Sequence, residues 1–370
     1  MVAVLGLGLF FSFRKNVSQT LDEMFLGGRT LQMIPLALSA LATIVSSTGI
    51  ISVTAHLYAY GINMLWSQIT YIVLIPVTVH IIIPVLYKLK VTSVFEYLRA
   101  RYGNKISLTA CFIYFLLTQS SGAVAISAAA MATSTIFQVP FVWCCLAIGL
   151  TGTTYTALGG LRGVVWTDCA QAVIATCSPV VIIAKIIYDS KMGYFKLRPL
   201  NIATLGPYFM NTRFDFTNDE NLWACVIGLS AMIVYRCGMD QMIVQRYLAA
   251  KTLQDAQRAA RMGTLLLLAF YILLLAMAFL MIYWFRDCDP QLSGAIQQLD
   301  QLLPFYVKRH LYEYPGFSGL FLAGVVSATT STISSMINSQ AAVLYIDVVS
   351  QFVRQTEAKA TRFTKYLGMI

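Results

Sequence analysis

Charge is what this chain has least of. Asp, Glu, Lys and Arg make up 11% of its 370 residues, against 58% hydrophobic, and the mean hydropathy is +0.70. Soluble domains carry about 25% charged residues, so a soluble domain is excluded and a polytopic membrane protein remains. Histidine is equally scarce. His56, His80 and His310 lie far apart in the sequence without paired carboxylates, which leaves neither a catalytic triad nor a metal site to expect. No P-loop is present, so ATP-driven pumping by this chain is not expected, and nothing else points to an enzyme or an organic cofactor. The eight cysteines include no CxxC and no metal-ligand spacing. Cys111, Cys144, Cys145, Cys169, Cys177, Cys225 and Cys237 sit in or beside apolar segments and Cys288 stands in a loop, so no disulfide framework is predicted. The opening stretch MVAVLGLGLFFSF has no basic residues ahead of it, unlike a cleavable signal peptide. At 1–13 it is also short of the ~20 residues a bilayer crossing needs, and it reads as a partial leading helix.

What is present is a series of long apolar segments at 32–57, 62–87, 106–137, 140–159, 163–187, 221–236, 263–285 and 316–349. Placing residue 14 inside and alternating sides puts most Lys and Arg on the cytoplasmic face. These include Arg14, Lys15, Arg29, Lys88, Lys90, Arg99, Arg101, Lys105, Arg162, Arg236, Arg246, Lys251 and the run from Arg354 to Lys365. The formal net charge of +10 is thus explained by membrane topology and needs no nucleic-acid partner. Two long loops, 188–220 and 286–315, fall outside, the second with a predicted short helix from Ser293 to Leu303. Asn16-Val17-Ser18 fits a glycosylation pattern but falls inside, where it stays unmodified. A cytoplasmic loop covers 350–365, and the final ATRFTKYLGMI resembles the start of a further apolar segment, so the architecture is expected to continue beyond this chain.

The stretch from Gly319 to Asp347 combines the length of a membrane span with a polar middle: Ser327, Thr329, Thr330, Ser331, Thr332, Ser334, Ser335, Asn338 and Ser339. Polar groups at that depth are costly unless something binds them. Ser327, Ser331, Ser335 and Ser339 recur at i, i+4 and share a helix face, with Ala328 and Thr332 beside them. Such neutral oxygens suit a monovalent cation, Na+ first, that must be held and then released. They also suit close helix packing, with hydroxyls bonding back to their own helix. The segment 32–57 carries a broken-helix signal in Pro35 and then Ala42-Thr43-Ile44-Val45-Ser46-Ser47-Thr48-Gly49. Unwound backbone at that depth is tolerated where it is buried in protein or lines a cavity, and its free carbonyls are cation ligands.

Gln119 sits in the polar middle of 106–137, as a pocket residue or a bond to a neighbouring helix. Tyr155 to Asp168 contains a tight inside turn at Gly159-Gly160, with Trp166 at the interface. Asp168, six residues after Arg162, reads as an interfacial acid paired with that arginine or as a buried ion or proton ligand. Thr92–Gly103 and Asp240–Lys251 each read as an inside loop or an amphipathic surface helix with a solvated basic face.

Five stretches together resemble the sodium:solute symporter family. They are FLGGR at Phe25–Arg29, TSVFEYLRARYG at Thr92–Gly103, YTALGGLRGVVWTD at Tyr155–Asp168, VQRYLAAK at Val244–Lys251 and SATTSTISSMINSQAAV at Ser327–Val343. The second segment resembles the iodide, multivitamin and monocarboxylate branch more than the sugar branch. The resemblance implies an all-α membrane protein with the inverted-repeat, five plus five helix transporter fold, its C-terminal part missing. Repeat one would span about 32–187 and an incomplete repeat two about 221–349, in one polytopic domain. It implies a sodium-coupled symporter, multi-pass in the plasma membrane, importing a small organic solute such as a monocarboxylate or vitamin-like anion. A non-transporting sensor or channel-like relative, or a non-functional fragment, stands as the alternative. By the same resemblance Na+, the coupling ion, would sit on backbone oxygens near Ala42 and Val45 with Ala328, Ser331 and Thr332. Asp168, Gln171 and Gln241 fall at a possible second ion site, and Gln119, Trp66 and Tyr71 are candidates for the solute pocket.

Overall fold

The break expected between Ala42 and Gly49 is there, and much of the molecule is arranged about it. The fold comes from a computed structural model, which describes residues 20–192 and 208–353 except 313 and 315, together with 6, 206, 360, 361, 363 and 364. At 155 and 157–159 it describes backbone only. The leading helix 1–13, Arg14, Lys15, Asn16 and most of the 354–370 tail lie outside the described residues.

After α1 (Leu21–Leu26), the chain enters α2 (Met33–Ile44) and α3 (Ser47–Tyr60), which meet at a 56° bend. Val45 and Ser46 are extended at the bend, where β-branched and hydroxyl-bearing residues weaken the helical alternative. α4 (Asn63–Lys88) follows with a π turn at Thr78–Ile82, two residues after Pro76 removes a backbone donor. α5 (Val94–Tyr102) is capped by Ser93, whose hydroxyl accepts from Glu96 N, and leads into α6 (Asn104–Phe137). The helical run Phe141–Lys191 is interrupted at Gly160, which has φ +58° and so takes a conformation that side chains resist. That gives α7 (Phe141–Thr154) and α8 (Gly160–Lys191), as the double glycine predicted, although α7 is shorter than a full span.

The second half departs more from expectation. The predicted span 221–236 is a π turn, Ala224–Gly228, then α9 (Ser230–Gly238) after a break at Leu229. Gly228 weakens the helix there, and the Ser230 hydroxyl bonds back to Ile227 O at 2.6 Å. α10 (Gln241–Leu248) is no surface helix: all eight of its residues are buried. It is enclosed by α1, α2, the end of α4, α9, α11 (Leu253–Phe285) and α13 (Phe317–Phe352). A parallel bridge between Leu31 and Ala250 fastens its end to the approach of α2. The helix predicted at Ser293–Leu303 begins later, as α12 (Leu302–His310). Asp289 instead holds 291–292 in a turn through their N–H groups, Gly294 takes φ +74°, and a Gln298/Gln301 capping box starts the helix.

Five helices are long and apolar enough to cross a membrane, or six with α2–α3 taken as one broken span. In α13 78% of the most apolar window is buried inside the protein; in α4, α6, α8 and α11 the share is 39% or less. α13 is therefore the central post, and its hydroxyls face protein. Gly152 and Gly324 allow its close contact with the Phe141–Lys191 run, since a Cβ at Gly324 would collide with Ser178 and one at Gly152 would press on Ile333.

Candidate functional site

A helix leaves its last carbonyls without intrahelical partners, and at the end of α2 those groups are met by α13. Ser331 Oγ donates to Ala42 O at 2.8 Å and lies 3.0 Å from Ala328 O; Thr332 Oγ1 approaches Thr43 O at 3.3 Å and Ala328 O at 3.0 Å. Each hydroxyl has one proton and two carbonyls to choose from. Ala42, Ala328, Ser331 and Thr332 are thus brought into one cluster of neutral oxygens, with the extended Val45 next to it. Thr43 joins through its own hydroxyl, which lies 2.9 Å from Ser335 Oγ. All are buried, and a cation entering here would replace hydroxyl protons as the partner of these oxygens.

Below this cluster, toward the side that the charge bias makes cytoplasmic, is a buried ion pair. Asp168 Oδ2 is 2.8 Å from Arg246 Nη2 and accepts from Ser39 Oγ at 2.6 Å. Arg246 also donates through Nε to Ser39 Oγ at 2.7 Å and through Nη2 to Ser335 Oγ at 2.5 Å. Asp168, Ser39, Arg246 and Ser335 are at most 1% exposed. The expected pairing of Asp168 with Arg162 is wrong. Arg162 instead pairs with Glu23 at 3.0 Å and donates to Gly27 O and Thr30 Oγ1. Asp168 lies nearly two helical turns further into the protein, out of reach of the interface. Its Oδ1 and the Oε1 of Gln171 have no hydrogen-bond partner among the described residues, while Gln171 Nε2 donates to Thr330 Oγ1 at 2.9 Å. Gln241 is not part of this cluster. Its amide accepts from Val94 N and donates to Thr92 O, both at 3.0 Å, which ties α10 to α5.

Above the break a cavity of about 430 Å³ opens between α3, α4, α9 and α11. Ser46, Thr48 and Gly49 of the break lie on one wall, with Tyr71, Gln68, His56, Arg236 and Tyr271 around it. Of the three solute candidates, Tyr71 alone lines it. Gln119 faces a separate cavity of about 330 Å³ between α6, α7 and α13, where it donates to Gln340 Oε1 at 3.2 Å. Trp66 donates to Phe209 O at 2.8 Å near the outer end of α4.

His56, expected to lack a carboxylate partner, has Nε2 2.8 Å from Glu220 Oε1. Burial raises the Glu220 carboxyl above its ordinary range, with His56 opposing. Among the described residues no group of three or more His, Cys, Asp or Glu could hold a metal ion.

Arg246, Arg236, Gln68 and Ser39 are the site residues that sequence reasoning missed. A signal did exist for Arg236, a charge at the end of the apolar segment 221–236, which calls for a buried acid; Arg246, in a polar basic stretch, carried none. Asp240 is that acid, and Asp168 is the partner of Arg246.

Residues 24–370 match the family described as Sodium:solute symporter family. Among curated relatives, sodium-coupled monocarboxylate transporter 2 of Bos taurus is 31% identical over 99% of this chain and 59% of its own length. The human sodium/iodide cotransporter is 30% identical over 99% of this chain and 57% of its own. A Drosophila melanogaster protein named as a sodium-dependent multivitamin transporter is 31% identical over 95% and 58%. The chain thus spans just under three fifths of the length of these relatives. Among solved structures, a substrate-bound, outward-open Na+-coupled sialic acid symporter superposes with a TM-score of 0.89 at 24% identity, covering 100% of this chain and 77% of that one. The inverted-repeat transporter fold is shared with it.

Proposed function

The chain belongs to the sodium:solute symporter family, and we propose that it is the core of a sodium-coupled symporter of the plasma membrane, importing a small organic anion by alternating access. The observation that carries this reading is the cluster of Ser331 and Thr332 hydroxyls on the freed carbonyls of α2, directly under a cavity lined by the same break. Na+ held by Ala42, Val45, Ala328, Ser331 and Thr332 would fix the α2–α3 bend against α13. A solute bound on the break then finds its wall already formed. Coupling requires that the ion bind the two states with different free energies, and a site shared between a bent helix and a central post supplies that difference when the two move apart. Asp168 with Gln171 is the place for a second ion or a proton, reached when Arg246 withdraws.

The cavity's position supports an outward-facing arrangement. It extends toward His56 and Gln68 at the outer helix ends, while α10 and the Asp168–Arg246 pair close the cytoplasmic side. A monocarboxylate or vitamin-like anion fits a wall that carries an arginine. The test is uptake of labelled biotin, lactate, nicotinate and iodide by cells expressing the full-length gene product, with Na+ replaced by choline. Accumulation that collapses in choline supports the symporter. Surface protein with no concentrative uptake of any solute favours a sensor or channel and ends this reading.

A further inference from the structure

Arg236 is an unusual residue on the wall of this cavity. Among the described lining residues it is the sole Lys or Arg; the alternation of charge along the sequence put it on the cytoplasmic face, and the structure instead sets it on one cavity with Ser46 and Thr48 of the bend and Tyr271 of α11. A cation at membrane depth is costly and is kept where it pairs or acts. Its pair is Asp240, whose Oδ2 accepts from Arg236 Nη1 at 2.8 Å. Asp240 is fully buried and its other oxygen accepts from Met242 N at 3.0 Å, capping α10. The carboxylate is therefore anchored from behind, and the guanidinium, with 20% of its side chain exposed, borders the cavity. A guanidinium has five N–H donors in a planar fork suited to carboxylates. Among the described residues Asp240 is its one hydrogen-bonded partner, so donors remain for a second anion.

A further group on the same wall wants a ligand. Gln68 Oε1 is buried and has no hydrogen-bond partner among the described residues, while its Nε2 rests 3.4 Å from Ser67 Oγ. A buried acceptor left unmet is costly, and a donor from a bound solute removes that cost. Size narrows the class further. At about 30 Å³ per water, 430 Å³ is room for about fourteen waters, of which iodide or lactate would displace only a minority.

We propose that Arg236 is the carboxylate-reading residue of the solute site, and that the solute is a vitamin-sized organic acid bearing a separate N–H or O–H donor for Gln68. This rests on the symporter reading above. The solute carboxylate and Asp240 share one guanidinium, with Asp240 keeping it oriented between transport cycles.

The experiment is Na+-dependent uptake of biotin, which has both a carboxylate and ring N–H donors, beside biotin amide, nicotinate and iodide, in cells expressing the full-length protein. Arg236→Gln alone leaves Asp240 buried without a counter-charge, so Arg236→Gln/Asp240→Asn is the decisive variant because it removes both charges at similar volume. Wild type is expected to prefer biotin to the other three. The double variant should reach the surface, raise the half-saturating biotin concentration at least ten-fold and lose discrimination against the amide, with the half-saturating Na+ concentration unchanged. Gln68→Leu should narrow the preference for biotin over nicotinate by about ten-fold. Biotin uptake by the double variant equal to wild type would show Arg236 to be a structural partner of Asp240 and would overturn this inference alone. A wild type that prefers iodide or nicotinate overturns it too. Failure of wild type to concentrate any of the four removes the symporter reading and this inference together.

Discussion

A hydroxyl deep in a membrane protein can turn back to the carbonyl one turn before it or reach across to a neighbouring helix, and Ser331 and Thr332 do both. That double option is the physical difference between a packing residue and an ion ligand, because a site that releases its ion needs somewhere for the protons to go. Thr332→Ala removes one of the proposed ion ligands while sparing the helix. It is expected to cost about 1–2 kcal/mol of ion binding, on the order of a ten-fold rise in half-saturating Na+, with surface expression retained; equal loss of both would favour packing. Asp168 poses the opposite case. Asp168→Asn leaves the Arg246 guanidinium buried with the Ser39 and Ser335 hydroxyls and the Met242 carbonyl but no counter-charge, a change that costs about 3–5 kcal/mol in comparable pairs. The melting temperature of detergent-purified protein should fall accordingly, and Asp168→Asn/Arg246→Gln should recover much of the loss. A double variant no better than the single would mean that the pair does not hold the fold. The hydroxyl ladder was legible because its i, i+4 spacing is local. The ion pair was not, because Asp168 and Arg246 lie 78 residues apart and charge alone does not reveal which distant partner it meets.

Among the elements, the broken span was readable from its own residues: β-branched side chains, hydroxyls and Gly49 together weaken a helix wherever they fall. The turn at Gly160 was readable for the same local reason. α10 was not, since an amphipathic basic helix looks alike whether it floats on a surface or is closed over by later helices. Elements at the outer end show how far a single contact can strap a loop. Asp289, in the 286–298 stretch, accepts from Tyr58 of α3 at 2.6 Å. Burial alone would raise its pKa, but the Tyr58 hydroxyl and the N–H groups of Leu292 and Gln291 outweigh it and hold the carboxyl below its ordinary 3.8. A depressed acid stabilises the fold fully above its unfolded value and loses that contribution as pH falls through the folded one. Hydrogen exchange in 290–298 is therefore expected to accelerate relative to the rest of the outer surface as the pH drops below about 3.8. Asp289→Asn should show the faster exchange already at neutral pH. Identical profiles for wild type and variant would remove the strap.

For the molecule as a whole, the cytoplasmic side is held by ties that converge from several helices. Gln245 donates to Phe25 O, Gln241 bridges to residues 92–94, and Asp347 near the end of α13 takes Ser93 at 2.5 Å and Arg99 at 3.2 Å. On the proposed alternating-access reading, inward opening would have to release several of these together, which would make it a switch with few intermediate positions. The same convergence has a consequence in time. Ribosomes make α13 last among the described spans, yet it is the most enclosed of them and supplies Ser335 to an arginine made 89 residues earlier. Until it is inserted, the helices already in the bilayer keep open a slot lined with amides and charge, Gln171, Gln119 and Arg246 among them, where lipid is a poor substitute. Nascent chains stopped at residue 316 are thus expected to be extracted and degraded several-fold faster in pulse-chase than chains stopped at 353. The quality-control machinery of the cell would be reading the absence of one helix.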